Sequence, residues 1–232
     1  MRKIFIILAV VLLGAGAQAQ QIKAYMAGGF TASQIEGDEL KGFDKWGGMF
    51  GVGATASLTS DNRWKLGVET DIVSRGAKNM TGNPYSVRIP LKYVDIPVTF
   101  YYHDPKGGMT IGAGLTYGRL VQQPHDSVAF GPAFIPDTVA LKGFNTNDFL
   151  FTIEARFQVW QWIFFSLRYQ RSIMPINRMT FMEDAVGSEY DSYTNNCYNS
   201  SIQGRVIIQF GDPNEDYRGH KHGKKKSHRR RW

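Results

Sequence analysis

The stretch Leu-Lys-Tyr-Val-Asp-Ile-Pro-Val-Thr-Phe-Tyr-Tyr at residues 91–102 alternates between two kinds of side chain. Its even-numbered positions from Val94 to Tyr102 are apolar or aromatic, whereas its odd-numbered positions include Asp95 and Thr99. Because successive side chains of a β-strand point to opposite faces, this pattern predicts a strand with one apolar and one mixed face. A tilted strand needs about 9–11 residues to cross a bilayer, with aromatic residues at the interface. The stretch therefore predicts a membrane-spanning strand.

Seven further segments alternate in the same way, at residues 22–31, 48–58, 64–75, 109–121, 149–159, 163–170 and 202–210. Together they predict an all-β fold, an eight-stranded antiparallel up-and-down transmembrane β-barrel over residues 20–211. The length of 232 residues suits one such domain. The mean hydropathy of −0.29 argues against a helical membrane protein.

The links between the predicted strands alternate in length. Short links follow strands two, four and six, at residues 59–63, 103–108 and 161, and longer ones occupy residues 32–47, 77–86, 122–148 and 175–200. Outer-membrane barrels have short periplasmic turns and long external loops. We therefore expect an outer-membrane protein with both chain ends in the periplasm, because the strand count is even.

Aromatic residues are expected to form a girdle at each membrane interface. The expected turn-side girdle is Trp64, Tyr101, Tyr102, Trp160, Trp162 and Phe210, and the opposite one is Phe30, Phe50, Tyr117 and Phe149.

The charged residues of the predicted strands fall on the face opposite the apolar one. They are Lys23, Lys65, Glu69, Asp71, Arg75, Asp95, Glu154, Arg156, Arg168 and Arg205. Facing lipid, each central Arg or Lys would cost roughly 2–4 kcal/mol, and the total would exceed a folding stability of roughly 5–15 kcal/mol. A soluble lipocalin-like barrel would instead expose the apolar face to water. We therefore predict that these ions point inward, form pairs and fill the lumen.

Pro97 lies in the middle of the predicted fourth strand and cannot donate a ladder hydrogen bond. It predicts a bulge or a lost ladder bond at that position.

The two ends of the chain differ from the body. Residues 1–19 predict a secretory signal peptide, with Arg2 and Lys3 before an apolar run and a small-x-small cleavage site. Residues 212–232 predict a disordered periplasmic tail that includes Lys224, Lys225 and Lys226. Its eight basic residues account for the positive net charge of the chain, because subtracting them from +7 leaves −1. The expected partner of the tail is anionic lipid or a periplasmic protein, not nucleic acid.

Several stretches resemble the PorT-like family of outer-membrane β-barrel proteins. They are Leu66-Gly67-Val68-Glu69-Thr70, Arg75-Gly76-Ala77-Lys78, residues 91–98, Ile111-Gly112-Ala113-Gly114 and Phe165-Ser166-Leu167-Arg168-Tyr169. Asp95 stands where this family often has glutamate. The resemblance covers residues 20–211 and implies an eight-stranded barrel in the outer membrane of a Gram-negative bacterium. It also implies a connection with protein secretion, through the founding member of the family.

Candidate functional residues lie in the long loops. Loop tyrosines Tyr190, Tyr193 and Tyr198 are predicted to bind a partner, because exposed aromatic residues anchor protein contacts. His125, Asp126 and Ser127 suggest a hydrolase, but adjacent residues on one loop do not form a triad by spacing alone. We assign no catalytic, cofactor-binding or metal-binding residue.

Two other loop features have simple interpretations. The acidic residues Glu183, Asp184, Glu189 and Asp191 could bind a divalent cation, but a solvated acidic loop explains them as well. Cys197, the only cysteine, excludes an intrachain disulfide and is interpreted as a tolerated loop thiol.

The predicted function is that of a non-enzymatic integral outer-membrane protein, a scaffold or accessory in envelope assembly or protein secretion. Its partners would be outer-membrane lipid and secretion or envelope proteins. The alternatives are an outer-membrane lipid-modifying enzyme with residues on the external loops, and a narrow channel.

Overall fold

A computed structural model describes residues 22–38, 42–78, 88–104, 107–123, 143–183 and 191–211. These ranges contain the strands β1 (Ile22–Glu36), β2 (Lys45–Ser57), β3 (Trp64–Lys78), β4 (Arg88–Asp104), β5 (Met109–Gln122), β6 (Asn147–Gln158), β7 (Ile163–Ser172), β8 (Asn177–Glu183) and β9 (Asp191–Gln209). No helix in the described part of the chain is long and apolar enough to cross a membrane. The predicted signal peptide and basic tail lie outside the described residues.

Eight of these strands form a closed antiparallel barrel in the order β1 to β7 and then β9. The barrel closes where residues 25–36 of β1 pair with residues 198–209 of β9 in a single register. Closure leaves no free sheet edge in the wall, so the backbone groups of the barrel strands bond to one another. The predicted eight-stranded barrel is confirmed.

The links divide the barrel into two rims. Short turns join β2 to β3, β4 to β5 and β6 to β7 at the end that we call the turn rim. The longer links lie at the opposite end, the loop rim. In the first turn, Asn62 adopts a φ of 58°, and the Thr59 hydroxyl donates to Asp61 at 2.5 Å. Asparagine tolerates this left-handed conformation better than most residues do.

The ninth strand was not predicted. β8 pairs only with the first part of β9, and the two form a hairpin that extends past the loop rim. The sequence predicted a loop over residues 175–200 and a last strand from Ile202, but β9 begins at Asp191. The prediction was wrong because residues 191–199 are mostly polar and lie beyond the lipid-facing part of the barrel. Without lipid on one side, the apolar alternation that marks the other strands is absent.

The outward side chains form an apolar belt around the barrel. Over about nine residues of each barrel strand, no outward position carries a charge. Exposed members include Phe30, Phe50, Val68, Ile72, Val98, Phe100, Ile111, Leu115, Phe151, Ile153, Leu167 and Val206. All ten predicted inward ions face the interior, and nine are buried, Lys65 being partly exposed. The predicted assignment of the two faces is therefore confirmed.

The aromatic girdles follow the prediction with one exception. At the turn rim, Trp64 stacks on Phe100 and contacts the edge of Tyr102, at 5.1 and 5.0 Å between ring centroids. Tyr101 was assigned to this girdle, but it points into the lumen and is 1% exposed. Its odd position on β4 decides its face, whatever its height along the barrel.

Pro97 interrupts pairing without shifting it. The ladder between β3 and β4 runs to Val68–Val98 and resumes at Asp71–Asp95 in the same register. The missing pairings match the lost ladder bond that the proline predicted. A register shift does occur in β4, between Lys92 and Tyr93 against β5.

Candidate functional site

Two buried arginines join four strands across the lumen. Arg168 on β7 donates to Asp71, Glu69 and Glu154, each at 2.8 Å. Arg205 on β9 donates to Glu69 at 2.6 Å and also to Glu154. Each guanidinium presents several donors in a fixed plane, so each binds more than one carboxylate at once. These bonds tie β3, β6, β7 and β9 together through the interior.

A third arginine lies nearer the turn rim. Arg156 donates to Glu154 at 2.6 Å and lies over the rings of Tyr25 and Tyr101, at 4.8 and 4.3 Å from their centroids. The Tyr25 hydroxyl donates to Glu69 at 2.8 Å, and the Tyr101 hydroxyl donates to Glu154 at 2.9 Å. The three arginines and the three carboxylates of this cluster cancel in formal charge. The predicted pairing of inward ions is confirmed for these six residues.

A separate ion pair lies closer to the loop rim. Arg75 on β3 binds Asp95 on β4, and both side chains are fully buried. Arg75 also donates to the Gln170 side-chain oxygen at 2.6 Å, and Gln203 donates to the same oxygen at 2.7 Å. The Gln170 amide in turn donates to Thr116 at 3.0 Å. This layer spans the barrel from β3 to β9 and leaves little room for solute.

A further polar group was missed by sequence reasoning. Asp148 accepts hydrogen bonds from Asn199 at 2.9 Å and from Ser172 at 3.0 Å, and Asn199 also donates to Tyr93 at 3.1 Å. Asp148 and Asn199 were placed in loops, because strands six and eight were predicted to begin later than they do. Extending the alternation of β6 by one residue would have placed Asp148 on the inward face.

An apolar plug closes the interior at the loop rim. Its buried members are Ile35, Ala77, Ile89, Leu91, Tyr93, Phe144, Ile176, Met179 and Cys197, with Leu120 packed against them. Cys197 is 0% exposed and lies in the hairpin part of β9, so its interpretation as a loop thiol was wrong. The residue is buried because the inward face of β9 continues into the plug. Polar layers and plug together fill the interior that the described residues enclose.

At the turn rim the interior opens slightly. A cavity of about 30 Å³ is lined by Lys65, His103, Arg156 and Gln209, among others. A space of this size holds a water molecule, not an organic substrate.

Two of the three predicted partner-binding tyrosines, Tyr193 and Tyr198, lie within the described residues and point to opposite faces of β9. Tyr193 is 39% exposed on the hairpin, where it pairs with Phe181. Tyr198 is partly buried and lies 5.8 Å from the Arg171 guanidinium, which binds Glu36 at 2.7 Å. Because five residues separate the two tyrosines along one strand, they point to opposite faces. Tyr190, Lys224, Lys225 and Lys226 lie outside the described residues.

The other loop candidates are not described by the structure. His125, Ser127, Asp184 and Glu189 lie outside the described ranges, and the side chains of Glu183 and Asp191 are likewise not described. Within the described ranges, no group of three or more His, Cys, Asp or Glu side chains could hold a metal ion.

Comparisons with known proteins identify a family. A family model described as outer membrane protein beta-barrel domain matches residues 5–206. No curated protein matches the chain. Similar solved structures include Neisserial surface protein A, at 11% identity over 81% of this chain and 97% of that chain, with a TM-score of 0.43.

Two others are the Ail attachment invasion locus protein of Yersinia pestis, solved with the heparin analogue sucrose octasulfate, and OprG from Pseudomonas aeruginosa. Ail is 10% identical over 82% of this chain and 99% of that chain, with a TM-score of 0.44. OprG is 13% identical over 84% and 98%, with a TM-score of 0.38. Likenesses at this level carry no argument about what the chain does.

Proposed function

Because the chain belongs to the outer membrane protein beta-barrel family, we propose that it is a non-enzymatic scaffold or accessory in envelope assembly or protein secretion. The family places it in the outer membrane. The observation that carries the proposal is the filled interior, where Arg168 and Arg205 bind carboxylates across the lumen and an apolar plug lies above them. A barrel with a filled lumen is suited to bind other molecules through its outer surface and its rims.

The proposed orientation has the turn rim and both chain ends in the periplasm and the loop rim outside the cell. The alternation of short turns and long links supports this orientation, because outer-membrane barrels share it. Lys224, Lys225 and Lys226 would then contact lipid headgroups or a periplasmic partner.

The proposed partner surface is the hairpin of β8 and β9. It extends past the loop rim and carries the exposed Tyr193. An aromatic side chain provides a large contact area at low entropic cost, which favours it as an anchor.

Site-specific crosslinking combined with a deletion strain tests this proposal. A photo-crosslinking residue at Tyr193 should capture an envelope or secretion protein, while the same residue at Asn196, also exposed on β9, serves as the control. Export of secreted proteins, or envelope integrity, should fail in the deletion strain and should be restored by the wild-type gene but not by Tyr193→Ser. Normal export and an intact envelope in the deletion strain would refute the scaffold function.

The two alternatives predict different measurements. A narrow channel would give conductance steps in a planar bilayer, whereas the filled interior predicts none. A lipid-modifying enzyme would lose activity on lipid A when His125 and Ser127 are replaced, and export would remain normal. Either result would exclude the scaffold as the main function.

A further inference from the structure

A group of basic residues lies just above the apolar belt on one side of the barrel. Its members, which we call the loop-rim basic patch, are Lys78 on β3, Arg88 and Lys92 on β4, and Arg119 on β5. Arg88, Lys92 and Arg119 are exposed, and Lys78 is partly exposed. These three strands are consecutive neighbours in the wall, so the four cations share one surface.

The patch begins where the belt ends. On β4 the outward positions from Tyr102 to Val94 are apolar, and the next outward position is Lys92. On β5 the outward Tyr117, which packs against Phe149 at 5.4 Å, is followed by Arg119, which pairs with Val94 across the ladder. Aromatic girdles mark the level of lipid headgroups. Lys92 and Arg119 therefore lie at headgroup height, with lipid-facing side chains directly below them.

Within the described ranges, no carboxylate pairs with the cations of the patch. None of the four forms a side-chain ion pair or hydrogen bond with another residue of the described ranges. Lys78 and Arg88 are register partners across the ladder, which brings their Cβ atoms to about 5 Å. Like charges in directly opposed positions destabilise a sheet. The four cations together therefore form a positively charged surface that favours the binding of an anion.

On the opposite side of the barrel, an outward cation is paired with a carboxylate of the chain. Arg171 on β7 also lies outward just beyond the belt, but it binds Glu36 on β1 through three side-chain hydrogen bonds of 2.7, 3.0 and 3.2 Å. At the turn rim, Arg63 is paired with Asp61. These outward cations are neutralised within the chain.

We propose that the loop-rim basic patch binds the phosphate groups of membrane lipids in the leaflet at the loop rim. The guanidinium of Arg119 and the ammonium of Lys92 would bind phosphate oxygens, since both groups form charge-assisted bonds to phosphate. The acyl chains would lie along Val94, Ile96 and Leu115, which face lipid below the patch. The site would thus select a lipid whose headgroup has a net negative charge over a zwitterionic one.

Binding of lipid A to the purified barrel in detergent micelles tests the site. The probes are bisphosphorylated lipid A and monophosphoryl lipid A, titrated in separate series and measured by native mass spectrometry. The variant is Lys92→Gln/Arg119→Gln. The matched control is Glu36→Gln/Arg171→Gln, which removes an outward ion pair at the same rim without changing the net charge.

We expect the wild type to bind bisphosphorylated lipid A more tightly than the monophosphoryl form. Each basic residue near a membrane surface contributes about fivefold to binding, so the double variant should bind about 25-fold more weakly. The control should change by less than about twofold, and the charge-conserving Lys92→Arg/Arg119→Lys should retain most of the affinity. Heat-modifiable migration on a gel verifies that each variant is folded.

Three results would overturn the proposal. The first is equal binding by the wild type and Lys92→Gln/Arg119→Gln. The second is an equal loss in Glu36→Gln/Arg171→Gln, which would indicate general effects of rim mutations. The third is complete displacement of lipid A by excess inorganic phosphate, which would identify free phosphate rather than lipid as the ligand.

Discussion

The buried pair of Arg75 and Asp95 allows a direct test of how the interior is held together. Both side chains are fully buried, and Arg75 also donates to Gln170. Replacing Asp95 with leucine leaves the guanidinium without its carboxylate. Removing one partner of a buried ion pair costs roughly 3–5 kcal/mol, a large part of a total stability of roughly 5–15 kcal/mol.

The double variant Arg75→Met/Asp95→Leu should behave differently from either single variant. Replacing both members of a buried pair by apolar residues is often neutral or stabilising. We therefore expect the double variant to recover most of the stability that Asp95→Leu loses. The coupling of the two positions in this double-mutant cycle should exceed 2 kcal/mol, by the same estimate of roughly 3–5 kcal/mol for an unpaired buried charge.

Equilibrium unfolding in urea from lipid vesicles, followed by tryptophan fluorescence, measures these differences. With a slope of about 2 kcal/mol/M, a loss of about 4 kcal/mol moves the midpoint by about 2 M. The exposed pair of Glu36 and Arg171 gives the control, because a surface pair contributes roughly 0.2–1 kcal/mol. Additive losses in the double variant, or a loss from Asp95→Leu no larger than that from Glu36→Gln, would show that the buried pair does not stabilise the barrel in this way.

Two further predictions concern the loop rim. Burial raises the pKa of the Cys197 thiol to about 11. Alkylation of the folded protein should therefore be slow at pH 8 and should accelerate about tenfold per pH unit up to about pH 11; a rate that levels off near pH 9 would contradict this environment. Gly76 has a φ of +132°, and a Cβ there would meet the carbonyl oxygen of Ile89 at 1.8 Å. Gly76→Ala should lower the urea midpoint strongly, whereas Gly48→Ala, which has open space around its Cβ, should have little effect; equal midpoints would show that this backbone is not constrained.

The alternation of apolar and polar residues, together with the cost of placing charges in lipid, made the fold and the orientation of its two faces predictable. In β4, Ile96, Val98 and Phe100 face lipid and Asp95 and Thr99 face the interior, as their positions in the sequence require. Each strand of the barrel wall faces lipid on one side and the lumen on the other. Alternate positions therefore require apolar and polar side chains. The same constraint predicted that the inward ions would be paired.

The hairpin and the missed residues show where this constraint ends. Cys197 and Asn199 lie beyond the apolar belt, so no lipid selects the residues beside them and no alternation marks their strand. Tyr193 and Tyr198 were grouped because both were predicted to lie in one loop, but a strand places them on opposite faces.

The amino-acid pattern alone specifies a barrel with apolar residues outside and charged residues inside, because each strand position must suit either lipid or the lumen. The identity of the ion pairs, in which Arg75 binds Asp95 and Arg168 binds Glu69, Asp71 and Glu154, emerges only from the folded barrel. Those partners lie on strands as many as 99 residues apart, and closure of the barrel brings them within 3 Å. Local pattern specifies which side of a strand a residue occupies, but the register of the closed wall specifies which residues meet.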